Sequence, residues 1–326
     1  MKPPIQPALW IPPAPTRSKL AKLRTPLRTI PLPARGEDVA IDAQGRLICG
    51  LVDGRVVRLD ERGTLEELGN TGGRPLGIEV DGDSAVVCDA KRGLLRLDLK
   101  SRALEVLVDA RTQGLGFCNN AAVARDGTIY FSDSSRQVGI DHWRGELLAH
   151  SATGRLLKLT KDGKLTVLIE GLEFANGVAL AQDESFVAVA ETTAYRVRKL
   201  WLKGPLAGSQ DALIDDLPGF PDNLSSDAEG RLWIAIANPR NPLLDFLLPK
   251  PAVLRQVVWA LPERIQPGPE RSIRVLAVDR DGRVVREISG KTSAYHMVTG
   301  MRVHGQTLYL ASLEEAALAT ISLATT

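Results

Sequence analysis

Side chains that carry oxygen atoms recur at one position of a repeated pattern in this chain. Each copy has a turn, then a polar residue, then an alternating apolar run, as in residues 171–180 around Asn176. Six copies can be aligned, and the aligned column contains Glu37, Leu76, Asn119, Asn176, Asp222 and Thr299. Asn120 and Asn223 lie one step further along two of the copies. Carboxylates and amide carbonyls are the ligands that hard divalent cations prefer, so the column predicts a metal site.

The ligand types favour one cation over others. Two carboxylates and several amides suit Ca²⁺, which takes about 6–8 oxygen ligands in flexible geometry, whereas Mg²⁺ or Mn²⁺ fits less well. The column has no cysteine or histidine, which argues against zinc and copper. Asn and Asp side chains before strands also stabilise turns through hydrogen bonds to the backbone. That role does not explain why these residues recur at the same position of every copy. We predict one cation bound by Glu37, Asn176 and Asp222, with Asn119 and Asn223 completing the shell.

Short strands are the elements that would position this column. Each copy reads as strand, turn, strand, turn, strand, with glycine-containing turns and many β-branched residues. The column residues are spaced 39, 43, 57, 46 and 77 residues apart, and Thr299 is the least secure because its copy needs a one-residue deletion. Repeats of about 40–50 residues with about four strands are typical of propeller blades. We therefore predict an all-β, six-bladed propeller whose column residues surround the central channel.

The chain divides into an arm and the propeller. Residues 1–34 form an extended arm, because nine prolines occur in this segment, and Trp10 and Ile11 are expected to anchor it. Residues 35–326 form the propeller. The long fifth interval contains an insert at about 238–270, where apolar residues at helical spacing predict one or two short amphipathic helices in blade five. The insert is a packed surface cap, a lid over one propeller face, or a patch that faces a membrane or partner.

Composition excludes several function classes. The 326 residues are 44% hydrophobic and 25% charged, which permits a sizeable core. A net charge of +2 provides no basic stripe for nucleic acid. The three cysteines, Cys49, Cys88 and Cys118, are too scattered for a disulfide framework and are expected to be buried reduced thiols. The sequence shows no secretory signal and no run of about 18–20 apolar residues, so we expect a cytoplasmic protein without a transmembrane segment.

Six short motifs carry a resemblance to a known superfamily. The motifs are Gly73–Ile78, Tyr130–Ser135, Phe174–Val178, Val189–Thr193, Leu217–Asn223 and Leu244–Leu247. Through them, residues 35–323 resemble the calcium-dependent six-bladed propellers that include gluconolactonase (regucalcin), the paraoxonases and the strictosidine-synthase-like proteins. Within this superfamily the chain is most similar to the strictosidine-synthase-like branch typified by adipocyte plasma membrane-associated protein.

The resemblance implies metal ligands at the same column. The family's ligand positions in blades one, three, four and five fall on Glu37, Asn119, Asn176 and Asp222, and the paraoxonase Asp-Asn pair falls on Asp222-Asn223. Two positions depart from the family. Thr299 stands where strictosidine synthase has its acid/base glutamate, which disfavours a Pictet–Spengler condensation. Leu76 replaces the paraoxonase histidine of blade two, which disfavours a histidine dyad.

These observations predict a metal-dependent hydrolase of small-molecule lactones or esters, similar to gluconolactonases and arylesterases. The cation would polarise the carbonyl group, and Asn119 or Asn120 would hold the attacking water. Asp222 is the first candidate for the general base, and His296, three residues before Thr299, is the second. Two alternatives stay open: a condensing lyase of strictosidine-synthase type, and a non-catalytic binding propeller stabilised by a metal.

Overall fold

Six antiparallel sheets of four strands each form the structure, a computed structural model that describes residues 2–14, 20–262 and 266–324. The inner strands of neighbouring sheets pack beside one another. Each sheet is one blade, so the predicted six-bladed β-propeller is confirmed. Alternating side chains along short strands produce this architecture, because each blade buries both faces against its neighbours.

The strands follow one another in chain order within the first five blades. Blade one contains β2 (Ala40–Ile41), β3 (Leu47–Gly50), β4 (Arg55–Leu59) and β5 (Leu65–Asn70). Blade two contains β6 (Pro75–Asp81), β7 (Ser84–Asp89), β8 (Gly93–Asp98) and β9 (Leu104–Asp109). Blade three contains β10 (Cys118–Val123), β11 (Ile129–Asp133), β12 (Gly154–Leu159) and β13 (Leu165–Leu172).

The remaining blades repeat the same order, except that blade six takes a strand from the start of the chain. Blade four contains β14 (Ala175–Leu180), β15 (Phe186–Glu191), β16 (Arg196–Trp201) and β17 (Gln210–Ile214). Blade five contains β18 (Gly219–Ser226), β19 (Leu232–Pro239), β20 (Ser272–Val278) and β21 (Val284–Lys291). Blade six contains β22 (Val298–His304), β23 (Thr307–Ser312), β24 (Ala317–Ser322) and β1 (Leu27–Pro31).

Strand β1 closes the ring. It pairs antiparallel with β24, so that Leu27 lies opposite Ile321 and Pro31 lies opposite Ala317. Residues 27–31 fall within the arm by sequence, yet they supply the outermost strand of blade six. An edge strand tolerates Pro31 because the missing N–H need not serve a second neighbour. The two ends of the chain are therefore joined in one sheet.

The hydrophobic core lies between adjacent blades. One cluster joins blades four and five and includes Phe186, Tyr195 and Ile234, all of them fully buried. The three cysteines are also buried and form no disulfide. Among the described helices, none is long and apolar enough to cross a membrane.

Within the described residues, three short α-helices lie outside the sheets. Helix α1 (Arg144–Ala149) connects β11 and β12, and it follows a 3-10 turn at Ile140–His142. Helices α2 (Pro242–Leu247) and α3 (Ala252–Ala260) lie in the predicted insert of blade five. Asn241 caps α2, since its side chain accepts hydrogen bonds from the first turn, and Pro242 suits the first helical position. Helix α1 was not predicted, although the 57-residue third interval had room for it.

The first residues of the chain pass over the helices. The indole of Trp10 stacks on the ring of His150, with 4.1 Å between their centroids. Ile5 is buried in a cluster with Trp259 of α3. Ile11, by contrast, is 75% exposed. The arm is therefore anchored by Trp10, as expected, and by Ile5 in place of Ile11.

Candidate functional site

The aligned column residues meet at one cavity of the central channel. All six of them line it: Glu37, Leu76, Asn119, Asn176, Asp222 and Thr299. The cavity has a volume of about 170 Å³. Each residue reaches the cavity from a different blade, as the repeat register predicts.

A break in the strand ladder exposes the column in every blade. In β10 the register shifts between Cys118 and Ala121, and β6, β14, β18 and β22 have irregularities at the equivalent place. In blade one, Gly36 forms a bridge and Ala40 resumes the ladder, which leaves 37–39 outside it. Such bulges change the direction of side chains and are common next to active sites. The column side chains are therefore free to point toward the axis.

Five buried side-chain oxygens at this site have no hydrogen-bond partner among the described residues. They are Glu37 Oε2, Asn119 Oδ1, Asn176 Oδ1, Asp222 Oδ1 and Asn223 Oδ1. None of these five residues is more than 7% exposed. A buried polar atom without a partner costs about 1–3 kcal/mol, and folded proteins have few of them. Five such atoms in one place indicate that a ligand completes their interactions.

Hydrogen bonds set the orientation of the amides. Asn119 Nδ2 donates to Ser134 Oγ at 2.9 Å, and Asn223 Nδ2 donates to Glu37 Oε1 at 3.2 Å. Because each amide nitrogen is engaged on one side, its carbonyl oxygen lies on the other. The Thr299 hydroxyl donates to the backbone carbonyl of Glu37 at 2.7 Å, so Thr299 supports the segment that carries the glutamate.

The two carboxylates lie in a space that disfavours their charge. Burial, together with the charge of Asp222, raises the pKa of Glu37 well above its usual value. Burial raises the pKa of Asp222 to about 8. The Asn223 amide and the Arg74 guanidinium lower the pKa of Glu37 without reversing the shift. A divalent cation would favour both charged forms at once, since it attracts both carboxylates.

The donor set fits a hard cation. The two carboxylates and three amides offer five oxygen ligands. The carboxylates carry two negative charges in total and the amides are neutral, a combination that Ca²⁺ prefers. Within residues 2–14, 20–262 and 266–324, no group of three or more His, Cys, Asp or Glu side chains could bind a metal. The fit therefore depends on the amides as well as on the two acids.

A second ring lies one residue further along each inner strand. It alternates polar residues with glycines: Asp38, Gly77, Asn120, Gly177, Asn223 and Gly300. Asp38 Oδ2 accepts hydrogen bonds from Ile78 N at 3.1 Å and from Asn120 Nδ2 at 3.3 Å. Asn120 Oδ1 accepts one from Val178 N at 2.8 Å. Both the nitrogen and the oxygen of the Asn120 amide therefore have hydrogen-bond partners. Of the two asparagines predicted to hold the water molecule, only Asn119 has a free amide oxygen. Asp38 was not among the predicted site residues, although it shares the register of Asn120.

His296 is not among the residues that line the cavity. His296 and Met297 both precede strand β22, and only Met297 lines the cavity. The Nδ1 atom of His296 instead pairs with Glu315 Oε1. The structure does not bring this candidate base to the other predicted site residues.

Apolar side chains form the walls above the oxygen atoms. Two residues before the column, four blades contribute Phe117, Phe174, Phe220 and Met297. Phe174 and Met297 have φ values of 58° and 51°, a backbone conformation that bulky residues rarely adopt and that is enriched at functional sites. The helices contribute Leu147, Leu244, Leu247 and Val258, so the insert borders the cavity. The outer side of the insert is apolar as well, since Phe246 is 60% and Val253 57% exposed.

Solved structures with the same fold are similar to this chain over nearly its whole length. A gluconolactonase from Xanthomonas campestris is 22% identical, with a TM-score of 0.65 and coverage of 98% of this chain and 97% of that one. A calcium-binding regucalcin from Agrobacterium tumefaciens is 14% identical, with a TM-score of 0.65 and coverage of 94% and 95%. At this level of identity the likeness shows the fold alone.

Sequence relatives establish the family. The strictosidine synthase model matches residues 119–205, and the model of the strictosidine synthase-like N-terminal region matches residues 27–59. Adipocyte plasma membrane-associated protein of Mus musculus is 33% identical over 337 residues, which cover 93% of this chain and 79% of that protein. Strictosidine synthase-like protein 6 of Arabidopsis thaliana is 32% identical over 288 residues, which cover 85% and 76%. The chain therefore belongs to the strictosidine-synthase-like family, in the branch that includes adipocyte plasma membrane-associated protein.

Proposed function

We propose that this protein is a calcium-dependent hydrolase of esters or lactones that acts in the central channel. The observation that carries the proposal is a set of five buried, unpartnered oxygens, four of them on residues that line one cavity and the fifth on Asn223, next to Asp222 in the chain. Glu37, Asn119, Asn176, Asp222 and Asn223 would bind the cation. Mg²⁺ or Mn²⁺ would fit less well, because both demand a smaller and more regular shell than these residues provide. The gluconolactonase and the calcium-binding regucalcin with this fold are consistent with both parts of the proposal.

The residues around the cavity would have different roles in the hydrolysis. A bound cation would supply Lewis acidity at the carbonyl oxygen and stabilisation of the oxyanion that develops there. The apolar walls bind the non-reacting part of the substrate and exclude bulk water. Asn119 Oδ1 accepts a hydrogen bond from the attacking water through its second lone pair, and the Asp222 carboxylate, which has lone pairs beyond the one that faces the cation, takes the proton of that water. That proton is then delivered to the leaving oxygen as the bond from carbon to that oxygen breaks.

The other two functions have less support. A condensing lyase needs an acid/base residue in blade six, but Thr299 has no ionisable group, and its hydroxyl donates to the Glu37 backbone. A binding propeller with a structural cation would use the same five oxygens. An apolar cavity beside them suits either function, so hydrolysis itself separates a binding propeller from the proposed enzyme.

Hydrolysis with and without the cation tests the proposal. Protein stripped with a chelator and then reloaded with calcium should bind about one equivalent, the number that five oxygens around one point can hold. Simple aryl esters and lactones should be hydrolysed only after reloading. Hydrolysis that survives chelation would contradict a metal-dependent mechanism. One bound calcium without hydrolysis of any ester or lactone would instead identify a binding propeller.

A further inference from the structure

Two of the sequence motifs, Tyr130–Ser135 and Val189–Thr193, end at equivalent places in blades three and four. Asp133 lies opposite Cys118 at the end of β11, and Glu191 lies opposite Ala175 at the end of β15. Each acid is followed by a hydroxyl residue. The proposed hydrolysis assigns no role to either motif, although both are buried beside the site.

The acid of each motif holds the chain that enters the inner strand. Asp133 Oδ1 accepts hydrogen bonds from Gly116 N at 2.8 Å and from Phe117 N at 2.9 Å. Arg155 neutralises this fully buried carboxylate with a bidentate contact, at 2.6 Å and 3.1 Å to Oδ2. The acid therefore fixes the backbone two residues before Asn119 without adding net charge near the cation site.

Blade four repeats the arrangement. Glu191 Oε1 accepts a hydrogen bond from Glu173 N at 3.2 Å, three residues before Asn176. Arg196 and Arg198 both pair with this fully buried carboxylate. The acids of the two motifs therefore fix the backbone before the inner strand in the same way in neighbouring blades.

The hydroxyl of each motif contacts an element that carries a proposed ligand. Ser134 Oγ accepts the hydrogen bond from Asn119 Nδ2 at 2.9 Å. Thr192 Oγ1 donates to the backbone carbonyl of Pro221 at 2.7 Å, immediately before Asp222 in the next blade. Both hydroxyl residues are no more than 4% exposed.

We propose that Ser134 and Thr192 are positioning residues, which direct Asn119 Oδ1 and the Asp222 carboxylate toward the cation. This inference rests on the proposed function. An amide has an acceptor at one end and a donor at the other. Without Ser134 as an acceptor, the Asn119 amide can rotate and present its NH₂ group to the site, where it would oppose a cation. Without Thr192, the backbone carbonyl of Pro221, immediately before Asp222, loses its hydrogen bond to blade four.

Calcium titration of paired variants tests this role. Ser134→Ala and Thr192→Val should weaken the calcium Kd by about 10–100-fold, the usual effect of losing a group that orients a metal ligand. Ser132→Ala is the matched control: Ser132 is equally buried and lies two residues before Ser134, on strand β11, but its hydroxyl accepts a hydrogen bond from the backbone N–H of Asn120 at 3.1 Å. The control should keep the wild-type Kd, and Ser134→Thr and Thr192→Ser should restore most of the affinity. A wild-type Kd in Ser134→Ala, or an equal loss in Ser132→Ala, would overturn the proposal.

Crystal structures of the calcium-free variants separate this inference from the proposed function. In Ser134→Ala the Asn119 amide should leave its wild-type rotamer, and in Thr192→Val the 221–222 backbone should shift. If the wild-type protein binds no calcium, the proposed function fails at the first titration, and these structures still decide the positioning role. Unmoved Asn119 and Asp222 side chains in both variants would overturn it.

Discussion

Glu37 and Asp222 are the two acids of the site, but their surroundings differ. Glu37 Oε1 accepts a hydrogen bond from the Asn223 amide, and the backbone carbonyl of Glu37 accepts one from the Thr299 hydroxyl. Asp222 Oδ1 has no partner among the described residues and borders the cavity. A residue that receives a proton from water needs a free lone pair within reach of the substrate. Asp222 therefore suits the role of base, and Glu37 suits that of a fixed ligand.

Asp222→Asn tests this assignment, because the substitution keeps the shape and removes the charge and the proton acceptor. Turnover should fall by about 10²–10⁴-fold, as expected for loss of a general base, and calcium should bind more weakly. Asp227→Asn is the control, since Asp227 is equally buried at 8% exposure but pairs with Arg231 outside the cavity. Steady-state kinetics at saturating calcium measure the effect. Wild-type turnover in Asp222→Asn would remove Asp222 from the mechanism.

The sequence was informative about residues wherever the repeat register decides the direction of a side chain. Glu37, Asn119, Asn176 and Asp222 share one register and reach one cavity. His296 was placed by its distance along the chain from Thr299, but it lies before strand β22, where its ring pairs with Glu315. The engagement of both ends of the Asn120 amide depends on a partner 82 residues away, and no local pattern reports it.

At the scale of elements, glycines allow the inner strands to approach one another. A Cβ atom at Gly77 would lie 2.6 Å from the Asn119 carbonyl oxygen, and one at Gly177 would lie 2.5 Å from that of Asp222. At Gly300 it would lie 2.8 Å from the carbonyl oxygen of Glu37. Blades two, four and six thus provide a glycine beside each ligand segment of blades three, five and one. The site is built from three similar pairs of blades.

Gly77→Ala should destabilise the fold and the site together. The added methyl group forces the β10 segment away, and overpacking of this kind typically costs about 1–3 kcal/mol. Gly69→Ala serves as the control because its Cβ would come no closer than 3.4 Å to any neighbour, and reduced freedom of the unfolded chain should make it neutral or stabilising. Urea denaturation gives the free energies of unfolding, and calcium titration gives the Kd. Equal stability of the two variants would show that close approach at Gly77 is unimportant.

Strands and helices could be predicted from the sequence where the spacing of apolar residues alone defines them. Twenty-three of the strands follow the repeat, and the insert helices follow a helical apolar pattern. Helix α1 was missed because only the longest interval was treated as an insertion. Strand β1 was placed in the arm because its partner, β24, lies about 290 residues further along, and no sequence pattern within 27–31 identifies the sheet that it joins.

At the scale of the whole molecule, two kinds of contact hold the ring together. Hydrophobic clusters join adjacent blades, and β1 joins the start of the chain to its last strand. The site adds contacts across the channel, because the Asn223 amide of blade five reaches Glu37 beside blade one. A cation bound by residues of blades one, three, four and five would link blade one to blades three, four and five, which the described clusters do not join to it. It would therefore stabilise the ring as a unit.

Calcium should raise the melting temperature of the intact protein. A ligand that binds only the folded state at a hundredfold excess over Kd stabilises it by about 2.7 kcal/mol. With an unfolding entropy of about 2.1 cal/mol/K per residue, that corresponds to about 4 °C for a chain of this length. Differential scanning calorimetry with calcium and with chelator measures the shift. Asn176→Ala should lose most of it, because an amide ligand is removed, whereas Asp227→Asn should retain it. An equal shift in wild type and Asn176→Ala would place calcium elsewhere on the protein, and the oxygens of the column would then serve the fold alone.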